Sequence, residues 1–467
     1  MKTNKFLIYH SLALIIIFSI QSCKEEIKAV KGEFTHGVAS GDPSHTGVLL
    51  WTRFLPHDSL NKTKIEWEVS EDKSFKNILN QGQAHAKAEN DYCIKVFVEG
   101  LSSGSEYYYR FKVDNQYSVI GQTKTLPNNT DKVKLAIVNC SKFEGGFFNV
   151  YNAVSKIEGI DAIIHLGDYI YEDAGGQKPY IPIVKETGRS HQPPHKLISL
   201  EDYRTRYSQY RADTMTLKLH QKYPMINIWD DHESANNSWY SGAQAHDSIE
   251  DGNWFVRKNN AIKAYHEWIP INKKQNEPIY RSFQFGNILN LNMLDTRLCC
   301  RTQLAKNYKQ LDSFALDSNL LGDEQLDWLE KSINENETQW NLVGNQVLVA
   351  RQYLEENDNY ISYDQWTGYP KDRSRFLKFI KENPSENVII TTGNMHDAFH
   401  FELLDSEDER SGNLIAHELL PGSISSGNSF VKKSKEELEN YKERLENYNP
   451  HLKWFDLIKH SFIIIEF

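Results

Sequence analysis

The chain has 467 residues, room for two or three compact units at about 150 residues each, and its 39% hydrophobic and 25% charged content is that of a folded globular protein, not a disordered one. Its 53 Lys and Arg against 63 Asp and Glu give a formal charge of -10, which excludes a general nucleic-acid binder because no global basic field exists to hold a phosphate backbone. Five cysteines are too few for a disulfide-stapled scaffold, so packing and hydrogen bonds must hold the core.

Lys2 and Lys5 precede an apolar stretch, densest over Leu12 to Phe18, that ends at Ile20-Gln21-Ser22-Cys23. The run is too short to span a bilayer comfortably and reads as the signal peptide of an exported protein, residues 1–22. A small residue before Cys at the end of such a run resembles a bacterial lipobox. That resemblance implies lipidation of Cys23, a tether over residues 23–33 opening with Lys24-Glu25-Glu26, and anchoring in a periplasmic, outer-membrane or cell-surface leaflet. The alternative is an ordinary secretory signal with an incidental Cys23.

From Phe34 to about Leu126 short β-rich runs alternate with turn formers. Val48-Leu49-Leu50-Trp51, Ile65 to Val69, Tyr92 to Val98 and Glu106 to Phe111 are the clearest strands, and no long amphipathic helix interrupts them. The spacing predicts a small antiparallel sandwich, and Leu101-Ser102-Ser103-Gly104-Ser105-Glu106-Tyr107-Tyr108-Tyr109 resembles the turn-and-tyrosine strand of fibronectin type III modules. Pro127-Asn128-Asn129-Thr130 reads as the boundary.

Beyond it, Val133 to Val138, a helical stretch from Phe147 to Ile157, and Ala162 to Leu166 form a βαβ opening. Similar core strands recur at Met225 to Trp229, Ile288 to Leu294, Trp340 to Gly344 and Asn387 to Thr392, each ending at a polar or charged cluster. Sites in layered α/β folds gather where loops leave the carboxyl ends of core strands. The charged stretch Lys432 to Glu446 reads as a solvated surface helix.

Four strand-end clusters carry the chemistry: Asn139-Cys140-Ser141, Gly167-Asp168-Tyr169-Ile170-Tyr171-Glu172, Asp230-Asp231-His232-Glu233 and Gly393-Asn394-Met395-His396. Their order resembles the calcineurin-like metallophosphoesterases, in which an Asp following Gly at a strand end bridges two metals. Tyr171, three residues after Asp168, resembles the phenolate by which purple acid phosphatases hold ferric iron, a hard ion suited to that ligand. The resemblance narrows to the alkaline phosphatase D family, the PhoD-like phosphatases. Phe34-Thr35-His36-Gly37-Val38-Ala39-Ser40-Gly41-Asp42-Pro43, Leu50-Trp51-Thr52-Arg53, His165-Leu166-Gly167-Asp168, Trp229-Asp230-Asp231-His232-Glu233, Asp295-Thr296-Arg297, Leu321-Gly322-Asp323-Glu324, Gly344-Asn345-Gln346-Val347 and Trp366-Thr367-Gly368-Tyr369-Pro370 follow its order.

What this resemblance implies is a four-layer αββα metallophosphoesterase domain over residues 131–467, preceded by a fibronectin type III-like β-sandwich over 34–127. It implies hydrolysis of phosphate monoesters or diesters by a metal-activated hydroxide, at a site with Fe3+ beside Ca2+. Carried over by position, Cys140, Asp168, Tyr171 and His396 would hold the iron, while Asp168, Asp231 and Asn394 would offer oxygen to calcium or another divalent ion. His232 would be the catalytic imidazole beside the leaving group, and Asn236, Asn237 and Arg297 would bind the substrate phosphate, Arg297 alternatively pairing with Asp295 across a turn. The protein is expected to act as a monomer.

Asn394 departs from the family, whose final motif carries Asp there; the amide oxygen still coordinates, but one negative charge is lost and Asp397 or His400 could compensate. Two rival functions remain open at this point: a phospholipase D-like diesterase acting on lipid, teichoic-acid-like or nucleotide diesters, and a catalytically impaired surface-binding lipoprotein. Alone, Cys140 would be an inert buried hydrophobe and Tyr171 ordinary core. His191 to His195 read as a surface loop or an entrance lining. Cys299 and Cys300 are adjacent and expected not to pair with each other, and the four cysteines after Cys23 allow three full pairings.

Overall fold

The computed structural model describes residues 31–57, 62–305, 318–356, 363–406 and 409–467. The expected signal peptide and Cys23 lie outside them, and among the described residues no helix is long and apolar enough to cross a membrane.

Two sheets of seven strands each form the centre. In the first, Lys134–Val138, Ala162–His165 and Pro224–Asn227 run parallel, with Ile137 beside Ile164 and Ile163 beside Met225. All three are nearly continuous aliphatic runs, as strands covered on both faces must be. Ile463–Glu466 pairs antiparallel on the outer edge of Lys134–Val138. The second sheet has the order Arg281–Phe285, Leu289–Met293, Trp340–Asn345, Val388–Thr392, Leu414–Pro421, Ala398–Leu404, Leu452–Asp456.

The sheets face each other across one apolar core that takes Ile137, Ile164 and Met225 from the first and Leu289, Leu291 and Leu342 from the second. Outside the first sheet lie the helices Leu200–Arg211, Thr214–Lys222 and Trp254–Trp268. Each begins where a side chain caps it: Ser199 with Asp202 in a capping box, Asp213, and Asn253. Gly322–Asn334 and Pro370–Glu382 cover the second sheet through Leu326, Leu329, Phe376 and Ile380. The result is the expected helix–sheet–sheet–helix layering.

The N-terminal β-structure is attached more intimately than a tethered module would be. Ser40 and Gly41, at the end of Gly32–Gly41, pair parallel with Pro224 and Met225, so the first catalytic sheet continues through Gly32–Gly41, Gly47–Pro56 and Cys93–Glu99. These strands pack Val48, Leu50 and Phe54 against Ile65, Val69, Tyr107 and Phe111 of a second, smaller sheet built on Lys62–Ser70, Ile78–Lys87 and Glu106–Val113. The tyrosine turn is present: the Ser102 amide donates to Tyr107 Oη at 2.8 Å. One sheet therefore serves both halves of the chain, and the boundary near Pro127 separates sequence segments without separating sheets.

The helix expected over 147–157 is shorter, Asn149–Val154. The charged stretch forms the helix Lys435–Tyr448 and buries only Leu445. Cys299 and Cys300, expected not to pair, are joined to each other, while Cys93 and Cys140 are free buried thiols.

A buried ion pair fastens the seam. Asp42, just past Gly41, accepts from Arg281 Nε at 3.0 Å, from its Nη2 at 2.6 Å and from the Asn272 amide at 2.7 Å, while the same Nη2 reaches Asn227 O at 2.8 Å. Arg281 begins the second sheet, so this cluster ties the N-terminal strand to both catalytic sheets. Asp42→Ala leaves the guanidinium buried without its partner and is expected to lower stability by about 3–5 kcal/mol. Urea unfolding should show a single transition moved to lower denaturant, without a separate early step for the N-terminal half.

Candidate metal centre

The carboxyl ends of the two sheets meet, and the four strand-end clusters meet with them. The Cys140 amide donates to Gly167 O at 3.1 Å and the Ser141 amide to Asp168 O at 2.9 Å, which joins the first two turns; Gly393 N reaches Asn345 O at 3.1 Å in the second sheet. Cys140, Asp168 and Asn394 all adopt left-handed backbone, with φ of 59°, 56° and 60°. Such strain gathers at functional sites, where the surrounding structure holds it in place. Gly167, at φ 103°, is required for a second reason: a Cβ there would lie 2.4 Å from the Asp230 nitrogen.

Cys140 Sγ and Tyr171 Oη both donate to one oxygen, Asp168 Oδ2, at 3.3 and 3.0 Å. His396 Nε2 lies 3.3 Å from Tyr171 Oη, and its Nδ1 is 2.9 Å from Gly427 O, so the nitrogen without the carbonyl contact faces the cluster. Donor atoms of Cys140, Asp168 and His396 all lie within 4.8 Å of one another, as do those of Asp168, Asp231 and His232; Asp168 belongs to both groups. Ser426 Oγ donates to Tyr171 Oη at 2.6 Å and lies 3.0 Å from Cys140 O, bracing the phenol.

Electrostatically this donor set works against its own charge. Burial pushes the Cys140 thiol well up, with Asp168 and Asp230 adding to it, and burial likewise raises Tyr171, with Asp168 and Cys140 adding. Burial also holds Asp168 well above the usual carboxylate range; His232 opposes, and Asp231 and Asp230 reinforce. His396 is kept neutral by burial and then by Lys432, whose Nζ is 3.0 Å from Nδ1. A cation placed among these atoms would take the place of the two protons shared with Asp168, bring the thiol, phenol and Asp168 carboxyl back down, and keep His396 neutral as a ligand. Asp231 Oδ1 is buried without a hydrogen-bond partner, a free lone pair of the kind a cation satisfies. The residues fit a two-cation site.

His232 Nδ1 is 2.6 Å from Glu172 Oε2, its amide donates to Asp168 Oδ1 at 3.3 Å, and its ring centroid lies 4.1 Å from that of Tyr171, the two rings tilted by 34°. Burial disfavours its charged form, but Glu172, Asp231 and Asp168 outweigh that and raise it well above the ordinary value. Asp231 is held low despite its burial, chiefly by Arg297 and His232. Asn236 N donates to Glu172 Oε1 at 2.7 Å and Asn237 N to Asp231 Oδ2 at 2.6 Å, so both backbones position site carboxylates; the Asn237 side chain is engaged by Gln244.

The structure departs from three expectations. Arg297 is fully buried, and its guanidinium bonds Asp230 Oδ1 at 2.5 Å and both oxygens of Asp364 at 2.5 and 3.1 Å, with Asp231 Oδ2 at 3.7 Å. It faces carboxylates instead of an open phosphate pocket, and only its main-chain amide reaches Asp295. Neither Asp397 nor His400 compensates for Asn394: Asp397 accepts from Ser429, and His400 Nε2 pairs with His417 Nδ1 at 3.0 Å. His191 is neither entrance nor surface; it is buried against Tyr210 Oη at 3.0 Å, whereas His195 is exposed.

Three residues carry weight that sequence reasoning did not assign. Glu172 orients His232. Glu233 accepts from the amides of Asp168, Tyr169 and Asp230 at 3.1, 2.7 and 2.9 Å and so ties two strand-end loops together. Asp364 receives Arg297, Arg301 and, at 3.2 Å, Asn394 Nδ2, which leaves the amide oxygen as the coordinating end of Asn394. Glu172 and Glu233 stand inside quoted motifs and Asp364 two residues before Trp366, but nothing in sequence spacing shows which main-chain amides a carboxylate will meet.

Comparison with known proteins agrees with this geometry. Residues 135–467 match the PhoD-like phosphatase family and residues 21–127 the N-terminal domain of PhoD-like phosphatases. Alkaline phosphatase D of Bacillus subtilis (strain 168) is 34% identical over 444 residues, 91% of this chain and 74% of that protein. A solved structure of PhoD superposes with a TM-score of 0.82 at 30% identity, covering 93% of this chain and 84% of that one. The purple acid phosphatase PPD1 from yellow lupin seeds shares the fold at 13% identity, with a TM-score of 0.53 over 92% of this chain and 68% of that one. With strand-end donors arranged for cations and a match spanning both halves, this chain belongs to the PhoD-like phosphatase family and is a metal-dependent phosphoric ester hydrolase of the alkaline phosphatase D type.

Proposed function

We propose that the centre hydrolyses phosphate esters with a ferric ion held by Cys140, Asp168, Tyr171 and His396 and a calcium ion held by Asp168, Asp231 and Asn394. The observation that carries this reading is the convergence of a thiol and a phenol on one Asp168 oxygen, beside an imidazole nitrogen. Thiolate, phenolate, carboxylate and imidazole suit a trivalent transition ion, whereas the all-oxygen set suits a hard divalent one. When bound, the two ions supply Lewis acidity, making a nucleophile available at neutral pH and offsetting the phosphoryl charge.

The chain's own residues supply position and a proton. Glu172 fixes His232 through Nδ1, so Nε2 is the end that can give a proton to the departing ester oxygen. Glu233 and Ser426 hold the loops that fix the spacing of Asp168 and Tyr171. Arg297 and Asp364 act through Asp231 and Asn394, and Asn236 is the residue we assign to the ester phosphate. Cys23 is proposed as a lipid anchor, a reading supported by Ser22-Cys23 at the end of the apolar leader.

Iron-loaded protein is expected to be coloured by tyrosinate-to-iron charge transfer, and Tyr171→Phe to lose the visible band while keeping its fold by circular dichroism. A colourless wild type containing stoichiometric iron would remove Tyr171 from the ligand set. His232→Ala should retain both metals by elemental analysis and lower kcat by about 10²- to 10⁴-fold, least for esters with good leaving groups. An equal loss for good and poor leaving groups would assign His232 to binding instead of proton transfer. Cys23→Ala should move the protein from the membrane to the soluble fraction; unchanged partition contradicts the anchor.

A further inference from the structure

The helix Trp254–Trp268 ends against the N-terminal β-structure, and its last carbonyls need donors from outside the helix. His266 O would ordinarily meet the amide four residues on, but that residue is Pro270 and has none. Lys95, on the edge strand Cys93–Glu99, supplies the donor: its Nζ reaches His266 O at 2.8 Å. Trp51, paired opposite Lys95 on the neighbouring strand, gives Nε1 to Glu267 O at 2.8 Å. The half-buried Lys95 side chain also lines a cavity of about 310 Å³, a volume at the small end of the about 300–1,000 Å³ usual for ligand pockets.

The walls of this cavity suit an amine that acts as a nucleophile. Cys93, two residues before Lys95 and so on the same strand face, lines it with Lys263, His266 and Glu267 of the helix and with exposed His85 of Ile78–Lys87. Among the described residues Lys95 forms no ion pair. Glu267, the one carboxylate of the wall, is already held by Arg204 at 2.6 and 2.7 Å, with Lys263 Nζ at 3.9 Å, so the cavity has basic groups to spare. Burial brings the Lys95 amine down to about 7; Asp42 and Cys93 oppose this, and Arg281 adds to it. At pH 7.5 its neutral fraction is then roughly 10²- to 10³-fold that of an ordinary lysine. His266 Nδ1 lies 3.1 Å from Lys273 O, and burial, with Lys95, holds the ring neutral, down at about 3. Its Nε2 is therefore an acceptor, and it is buried without a hydrogen-bond partner.

We propose that this cavity is a binding site for a small 2-oxo acid, whose carbonyl carbon Lys95 takes as a reversible Schiff base. The amine nitrogen attacks that carbon and passes one proton to the oxygen, giving a carbinolamine. The C–O bond then breaks, the oxygen leaves as water with the second amine proton, and C=N forms, so neither oxidant nor reductant is consumed. Once protonated, the imine keeps one N–H for His266 O, and the helix end stays closed. His266 Nε2 offers an acceptor to the carbinolamine hydroxyl, and Lys263 offers a cation to the carboxylate. None of these residues belongs to the metal centre, and the adduct takes no part in ester hydrolysis.

The test is treatment of the metal-loaded wild-type protein with glyoxylate and cyanoborohydride at pH 7.5, which fixes each imine as a carboxymethyl-lysine that peptide mass spectrometry locates. The expected result is a saturable adduct at Lys95, about tenfold or more ahead of every other lysine, and a smaller yield there from acetaldehyde at equal concentration. Lys95→Arg, which keeps a donor for His266 O, should lose this adduct and retain ester hydrolysis. If Lys95→Arg does not fold, the wild-type peptide map decides. Adducts spread evenly over the surface lysines, or a Lys95 left unmodified, overturn the proposal. An equal yield at Lys95 from acetaldehyde overturns the assignment of an acid as the ligand.

Discussion

Everything at the centre of this molecule answers to one electrostatic constraint: a thiol and a phenol are buried in contact with Asp168, where each makes the charged form of its neighbours less favourable. Left to themselves such groups keep their protons. Held at fixed spacing, they form a ready countercharge for cations, and the fixing is done by residues that take no part in the donor set. Glu233 gathers three main-chain amides from two loops, Ser426 holds the phenol, Gly427 O turns His396, and Glu172 turns His232. This is the outer support that metal sites need if their ligands are to point correctly.

The second consequence is architectural. Donors can converge only if the carboxyl ends of two sheets are brought face to face, and the sheets stay in register through buried aliphatic strands between helical layers. The N-terminal β-structure takes part in that framework, since Gly32–Gly41 adds a parallel strand to the first sheet and Asp42 carries the ion pair to the second. Its role is therefore mechanical support of the catalytic sheet.

Asn394 illustrates how a local departure is absorbed. Replacing an expected acid with an amide would remove charge from the second cation position, yet the amide nitrogen meets Asp364, whose carboxylate is in turn paired with Arg297 and Arg301. An acid in place of Asn394 would face Asp364 as a like charge. The amide thus fits a neighbourhood whose negative charge sits one residue further out.

The sequence by itself determined the strands, because runs such as Leu135-Ala136-Ile137-Val138 and Val388-Ile389-Ile390 are too aliphatic to lie anywhere but between covered faces. It also determined the candidate donors, because Gly167-Asp168 and Gly393-Asn394 combine a permissive turn with a ligating side chain at strand ends. What only the tertiary structure decided lay in contacts between segments far apart in the chain. Arg297 faces Asp230 and Asp364, 67 residues away on either side, instead of phosphate. Glu233 binds amides 64 and 65 residues before it. The sandwich shares its sheet with the catalytic domain through a two-residue pairing at Ser40 and Gly41. Periodicity and motif spacing report which face of an element is buried, but a polar side chain's partner is set by which loops the packed sheets bring beside it, and that information resides in the assembled fold alone.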